Sequence, residues 1–328
     1  MKDEIIREIE GEKFFNLKSA NEWIEEAKSK PIPKMLFGEL WFQNEICILF
    51  ADSNVGKSIL AVQIAEHICK GENTCNLHIE IKPQQVIYFD FELSSKQFEN
   101  RYSNNYSNHY NFSNLFLRAE INTDFYIQKD FLIEDLIYQN LENYIVANKS
   151  KIIIIDNLTY LVSKLEKGTD SSILMMKLIK LKKKYNLSIL ILAHTPKRNY
   201  TQSITQNDLG GSKMLMNFCD SSFTIGKSML SDNIRYIKQI KQRNVGEIYG
   251  TNNVIICKIE NSYNFLKFEF EDYGNEFEHL KFITRDDVIE RDLKILELHK
   301  EGLSNVAIAN QLNCSEGTVR NVLKKNNL

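Results

Sequence analysis

The stretch Ile46-Cys47-Ile48-Leu49-Phe50-Ala51-Asp52-Ser53-Asn54-Val55-Gly56-Lys57-Ser58-Ile59-Leu60 decides the fold. Ile46 to Phe50 is a continuous apolar run of strand length, and Ser58 to Lys70 reads as a helix. Between them, Ala51 to Ser58 has the form of a phosphate loop. Backbone amides and the N-terminus of the following helix cradle phosphates, a lysine reaches the terminal ones, and a hydroxyl holds Mg²⁺. Ala51, Asp52, Ser53, Asn54, Val55, Gly56, Lys57 and Ser58 are therefore the candidate nucleotide-binding residues. Ala51 stands where the strict pattern has glycine, a place alanine can fill if its φ stays negative. The alternative is a chance Gly-Lys-Ser, and the chain contains one for comparison. Gly226-Lys227-Ser228 runs into the turn Met229 to Asn233, where no helix awaits a phosphate.

Working outward, Val86 to Phe91, Ile152 to Ile155 and Ile189 to Leu192 are further short, isoleucine-rich runs. Such runs read as parallel strands buried on both faces. Helical stretches at about Phe131 to Ala147 and Ser172 to Tyr185 separate them, so the expected fold is an α/β parallel sheet with right-handed crossovers. Lys177 to Lys184 reads as the solvated face of the second helix. After residue 220, Ser222–Gly226, Ile234–Gln242, Val254–Glu260 and Phe265–Phe270 suggest an antiparallel extension. Asn252-Asn253 and Asn261-Ser262 supply its turn signals. Tyr102 to Asn114, polar and aromatic, reads as a surface loop.

Acids at strand ends fit the same chemistry. Asp156 closes the run Ile152 to Ile155 and is placed to hold the Mg²⁺ shell opposite Ser58. Glu92, after Val86-Ile87-Tyr88-Phe89-Asp90-Phe91, is the candidate base for the water that attacks a γ-phosphate, with Asp90 as its rival.

The chain has 328 residues, 43% apolar and 26% charged, with 41 basic against 43 acidic side chains and a net charge of −2. That balance excludes binding a polyanion through overall charge, so any nucleic-acid contact must be local. Apolar runs of four or five residues are too short for a membrane span. Six scattered cysteines without a CxxC pair, and a charged N-terminus, point to reduced thiols and a cytoplasmic protein without a zinc site. The expected organisation is an N-terminal helical segment at 1–32, an ATPase domain at 33–271, an acidic linker at 272–284 and a helical module at 285–328.

The order of these motifs resembles the RecA-like P-loop ATPases, and within them the hexameric replicative helicases of the bacterial DnaB and plasmid RepA type, over roughly residues 33 to 270. The resemblance implies ATP and Mg²⁺ as cofactors, a homo-hexameric ring, and single-stranded DNA in a central channel lined by loops around 162–171 and 199–213. It implies Glu92 as catalytic base. It also implies that His194, in Ile191-Leu192-Ala193-His194-Thr195, senses the γ-phosphate, with a buried structural histidine as the alternative. Lys241 and Arg243, in Lys241-Gln242-Arg243-Asn244, would reach a neighbouring subunit's ATP. One departure stands out. The family often carries D-L-R-x-S where this chain has Asp208-Leu209-Gly210-Gly211-Ser212, although Lys197, Arg198 and Lys213 are near.

At the C-terminus, Arg291–Lys300 is a short amphipathic helix broken by Gly302, and Ser304 caps a second helix. Asn313-Cys314 turns the chain, and Ser315 caps a third helix from Glu316 to Lys325. The pattern S-x-x-x-I-A-x-x-L-x-x-S-x-x-T-V from Ser304 to Val319 resembles the helix-turn-helix domains of response regulators and sigma factors. In those domains the third helix enters the major groove. Glu316, Gly317, Thr318, Arg320, Asn321 and Lys324 are the outward candidates for duplex DNA contact. The competing reading is a packing module that binds no DNA, since residues 285–328 carry seven basic and seven acidic side chains.

Two functions fit these features: a DNA-associated, helicase-like ATPase linked to plasmid or mobile-element replication, and an ATP-controlled DNA-binding regulator that assembles without unwinding. An ATPase indifferent to nucleic acid would leave the C-terminal module without a purpose.

Overall fold

A computed structural model describes residues 15–122, 133–157, 170–196, 198–210, 213–280, 285–312, 314 and 316–326. The chain divides into two units, Met1–Pro33 and Lys34–Leu328. In the first, helix α1 (Ala20–Lys28) opens with a full capping box between Ser19 and Glu22 and buries none of its side chains. Of the segment expected at 1–32, the structure describes α1 and its flanks, and residues 1–14 lie outside the described ones.

In the second unit, a small hairpin of β1 (Met35–Phe37) and β2 (Trp41–Phe42) leads into β3 (Ile46–Ala51) and helix α2 (Lys57–Lys70). The chain continues through β4 (Val86–Asp90), α3 (Ser95–Arg101), a tiny hairpin of β5 (Ser103–Asn104) and β6 (Asn108–His109), β7 (Phe116–Glu120) and α4 (Ile133–Asn148). Next come β8 (Ile152–Asp156), α5 (Asp170–Tyr185), β9 (Ser188–His194), α6 (Lys213–Phe218) and β10 (Ser221–Lys227). Strands β11 (Ile234–Lys241), β12 (Val254–Ser262) and β13 (Phe265–Gly274) follow. Among the described residues the main sheet has the order β13-β12-β11-β10-β3-β9-β8-β4-β7.

Strands β10, β3, β9, β8, β4 and β7 are parallel, and β11 to β13 extend the sheet antiparallel. This is the RecA-like sheet, with β9 inserted between the phosphate-loop strand and the strand ending in Asp156. Alternation along each strand divides its side chains between two cores. Cys47, Leu49, Tyr88, Ile154 and Leu192 pack with α2 on one face. Ile46, Ile48, Phe89, Ile155 and Ile191 pack with α4 and α5 on the other. Parallel strands sandwiched this way need apolar residues at every position, which explains the unbroken isoleucine runs.

Four expectations need correction. Ser222–Gly226 is not purely antiparallel: β10 pairs parallel with β3 and antiparallel with β11. The β12–β13 turn falls at Tyr263-Asn264, both with positive φ, not at Asn261-Ser262. Within Tyr102–Asn114, the rings of Tyr102, Tyr110 and Phe112 join Phe98, Phe116 and Phe265 in one aromatic cluster. Stacking burial thus outweighs the polar residues between them. Finally, the stretch read as a linker begins as the end of β13 and a 3₁₀ turn, Glu276–His279, whose Glu276 and His279 are buried. Residues 281–284 lie outside the described ones.

The C-terminal helices α7 (Arg285–Lys300), α8 (Asn305–Gln311) and α9 (Glu316–Lys325) pack on one another through Ile295, Ile308, Ala309, Val319, Val322 and Leu323. Gly302, at φ 86, makes the break after α7, and the Ser304 hydroxyl caps α8 by accepting from the Ala307 amide. Asn313 and Ser315, expected as turn and cap, lie outside the described residues.

Candidate functional site

The loop from Asp52 to Gly56 joins the C-terminal end of β3 to α2. Ala51 is the last rung of β3, paired with Ile225 on one side and His194 on the other. Its extended backbone is open to any L-residue, which accounts for alanine in the first position. Gly56, by contrast, sits at φ 107, and a Cβ there would lie 2.9 Å from the Phe268 ring. Only glycine meets both demands.

The Lys57 ammonium is buried, 5% exposed. It donates to the carbonyls of Ala51 (3.0 Å) and Asp52 (2.9 Å) and lies 3.1 Å from His194 Nδ1. Burial lowers its pKa, opposed by the charges of Asp156, Glu92 and Asp52. His194 Nε2 lies 3.1 Å from Glu92 Oε1 and 3.0 Å from the Asn157 amide nitrogen. A lysine can only donate, so Nδ1 accepts and Nε2 carries the proton toward Glu92. His194 therefore bridges the phosphate-loop lysine and the carboxylate. The same contact holds the Glu92 carboxyl below its usual range and keeps it ionised.

Asp90 does different work. Its Oδ1 accepts from the amides of Glu92 (3.1 Å) and Leu93 (2.9 Å), and its Oδ2 pairs with Arg118 at 2.8 Å. Both oxygens are occupied in shaping the turn that carries Glu92, so of the two carboxylates it is Glu92 that faces Lys57 and His194.

Asp156 is fully buried. Tyr88 donates to its Oδ2 at 2.6 Å, while Oδ1 is buried without a hydrogen-bond partner among the described residues. Burial pushes its pKa up to about 6, against the lowering influence of the Ser58 and Tyr88 hydroxyls. An orphan carboxylate oxygen beside a serine hydroxyl suits a hard divalent cation that takes few protein ligands and keeps its waters.

Sequence reasoning missed two parts of the site. Asn157 is buried and donates to Glu92 Oε1; a polar residue after a strand-end aspartate was the signal. Asp52 is held by the Thr195 hydroxyl and by Arg198 Nε at 3.2 Å, so the segment after β9 is clasped to the phosphate loop. Farther along, Ser203 and the Ile204 amide donate to Glu276, which pairs with buried Lys238 at 2.6 Å.

Gly210 explains the departure in the 208–212 loop. Its amide donates to the His194 carbonyl at 2.9 Å, and a Cβ at Gly210 would lie 2.3 Å from that oxygen. A side chain of any size is shut out there. Residues 162–169, Gly211 and Ser212 of the expected channel loops, and nearby Lys197, lie outside the described residues.

Lys241 and Arg243 are not brought to the phosphate loop. Lys241 pairs with Ser222 at the start of β10, the sheet end opposite Ala51. Its ammonium donates to the carbonyls of Met216 (2.5 Å) and Cys219 (2.8 Å). Exposed Arg243 pairs with Asp220 at 3.1 Å. By register Lys241 lies level with Ile48, three residues or roughly 10 Å from Ala51, and Arg243 lies beside Asp220 at the level of Ile46, five residues or roughly 17 Å away.

On α9, Glu316, Gly317, Arg320, Asn321 and Lys324 are exposed and Thr318 is half-buried, while Val319 and Val322 face inward. Arg320 pairs with Glu316 at 2.7 Å.

A phosphate loop on a RecA-like sheet, followed by a helix-turn-helix, defines an ATPase with a C-terminal DNA-binding domain. A family model described as "AAA domain" matches residues 13–200, more than half of the chain, and the chain belongs to that AAA family. The model "Bacterial regulatory proteins, luxR family" matches residues 290–326. Among solved structures the chain is similar to a KaiC-like protein from the hyperthermophilic archaeon Pyrococcus horikoshii. The two are 11% identical, with a TM-score of 0.48 over 70% of this chain and 90% of that one. No curated protein matches the chain significantly. No helix among the described residues is long and apolar enough to cross a membrane.

Proposed function

We propose that the chain is a Mg²⁺-dependent, ATP-hydrolysing, oligomeric motor on DNA, helicase-like and linked to plasmid or mobile-element replication. The observation that carries this reading is the line Lys57–His194–Glu92 set beside the orphan oxygen of Asp156. In the proposed mechanism the amides of residues 52–58 and Lys57 hold the phosphates. Ser58 and Asp156 would hold Mg²⁺, which supplies charge neutralisation on the phosphate oxygens. Glu92, ionised and fixed by Asn157 and His194, orients the attacking water and takes its proton. His194 touches both the lysine and the base, so a γ-phosphate that draws Lys57 away also resets Glu92. Arg243 acts in trans, because in its own chain it lies at the far end of the sheet. The helix-turn-helix holds duplex DNA through the exposed face of α9, and a homo-hexameric ring would carry the single strand.

The test is DNA-stimulated ATP hydrolysis and strand displacement by wild type, Lys57→Ala and Glu92→Gln. Wild-type turnover that survives Lys57→Ala overturns the site.

A second reading, the ATP-controlled regulator, draws on Gly210. The position where the family often has arginine is closed to any side chain, so this loop lacks that contact for a single strand. ATP-dependent duplex footprints without displacement would decide for it.

A further inference from the structure

Arg235, in β11, is 7% exposed and lies against the phosphate loop. Its Nε donates to the Val55 carbonyl at 3.0 Å, and its Nη1 donates to the carbonyls of Asp232 and Ile234, both at 2.8 Å. Buried arginines ordinarily meet a carboxylate. Among the described residues this one meets backbone carbonyls instead, and exposed Asp232 pairs with Lys227 at 2.8 Å. A buried cation in that setting calls for another explanation than an internal ion pair.

The peptide it grips joins Val55 to Gly56. In a planar trans peptide the C=O and N–H point in opposite directions. The Val55 carbonyl turned to Arg235 therefore sends the Gly56 amide the other way, to the side from which phosphates are cradled. A charged donor on the carbonyl also polarises the amide and strengthens its own hydrogen bonding. The neighbouring supports are rigid. Gly56 abuts Phe268 and Ile259. Buried Gln63 of α2 exchanges hydrogen bonds with the Phe268 backbone, 2.7 Å to its amide and 2.8 Å to its carbonyl.

We infer that Arg235 is a positioning residue for polyphosphate: through the Val55 carbonyl it aims and polarises the Gly56 amide that binds phosphate. This rests on the nucleotide-site reading above. It assigns to the antiparallel extension a part in binding that the loop's own residues do not supply.

The experiment measures Mg-ATP and tripolyphosphate binding, the latter by competition with a fluorescent ATP analogue, for wild type, Lys57→Ala, Arg235→Met and Arg235→Lys. Steady-state hydrolysis and melting temperature accompany it. Arg235→Met is expected to weaken both ligands by the same factor, about tenfold or more, since a hydrogen bond to a charged group is lost. KM should rise while kcat stays near wild type. Arg235→Lys keeps the charge but loses the Nε contact, and is expected to weaken binding severalfold. A folded Arg235→Met with wild-type tripolyphosphate affinity overturns the proposal. If that variant does not fold, wild-type affinity in Arg235→Lys overturns it instead. Failure of wild type to bind ATP removes the nucleotide site itself; intact wild-type binding with unimpaired Arg235 variants removes this inference alone.

Discussion

At the scale of single residues, the two carboxylates around β4 separate by what they touch. Asp90 accepts from two amides and from Arg118, whereas Glu92 faces His194 and Asn157. Glu92→Gln is expected to lower kcat by about 10² to 10⁴ with ATP affinity retained, as for loss of a general base. Asp90→Asn should instead lower the melting temperature. Asp156 carries a pH signature. Its carboxyl is raised from 3.8 to about 6 by burial. The stabilisation from the bound proton is complete below pH 3.8 and is lost as pH rises through 6. Ionisation of the metal-free chain above that range costs roughly 3 kcal/mol. Asp156→Asn should therefore stabilise the metal-free protein at pH 8 in urea unfolding while abolishing Mg-dependent hydrolysis. No stability gain at pH 8 would count against the buried, cation-free carboxylate. The phosphate-loop residues and Asp156 could be read directly because spacing fixes them. Asn157, Arg235 and the clasp of Asp52 by Thr195 and Arg198 could not, since each depends on a partner far away in sequence.

At the scale of elements, the parallel strands were plain in the sequence because burial on both faces leaves no polar position to confuse the period. The edge strand β7 was missed, as Arg118 and Glu120 interrupt its apolar pattern. The stretch after β13 was read as a linker from its acids, yet Glu276 is buried against Lys238, Ser203 and the Ile204 amide. Composition alone does not distinguish a solvated acid from a buried, paired one. Removing one partner of such a pair strands the other charge in the interior. Glu276→Ala should cost about 3 to 5 kcal/mol in chemical unfolding, and limited proteolysis should cut first near residues 198–205, which lose their anchor. A cost below about 1 kcal/mol, the range for a surface pair, would show that Glu276 is not the anchor.

At the scale of the whole molecule, the role proposed for Arg243 requires assembly. The phosphate loop sits at one end of the parallel strands, and Lys241 and Arg243 sit at the other. No rotamer carries Arg243 along roughly 17 Å of strand to its own nucleotide. If the arginine serves hydrolysis, it does so in a neighbouring subunit, where its charge is supplied only on assembly. Lys241, engaged with the carbonyls of Met216 and Cys219, is the weaker candidate for that task. This separation makes a mixing experiment decisive. Lys57→Ala subunits lack a working phosphate loop but present Arg243; Arg243→Ala subunits have the loop but not the arginine. Each variant alone is expected to be inactive. An equimolar mixture that assembles at random places an intact loop beside an intact arginine at about a quarter of its interfaces, so DNA-stimulated hydrolysis should reappear at up to that share. A mixture as inactive as its components, with native mass showing that mixed oligomers formed, would mean that Arg243 completes no neighbouring site and that its exposed pair with Asp220 is only a surface contact.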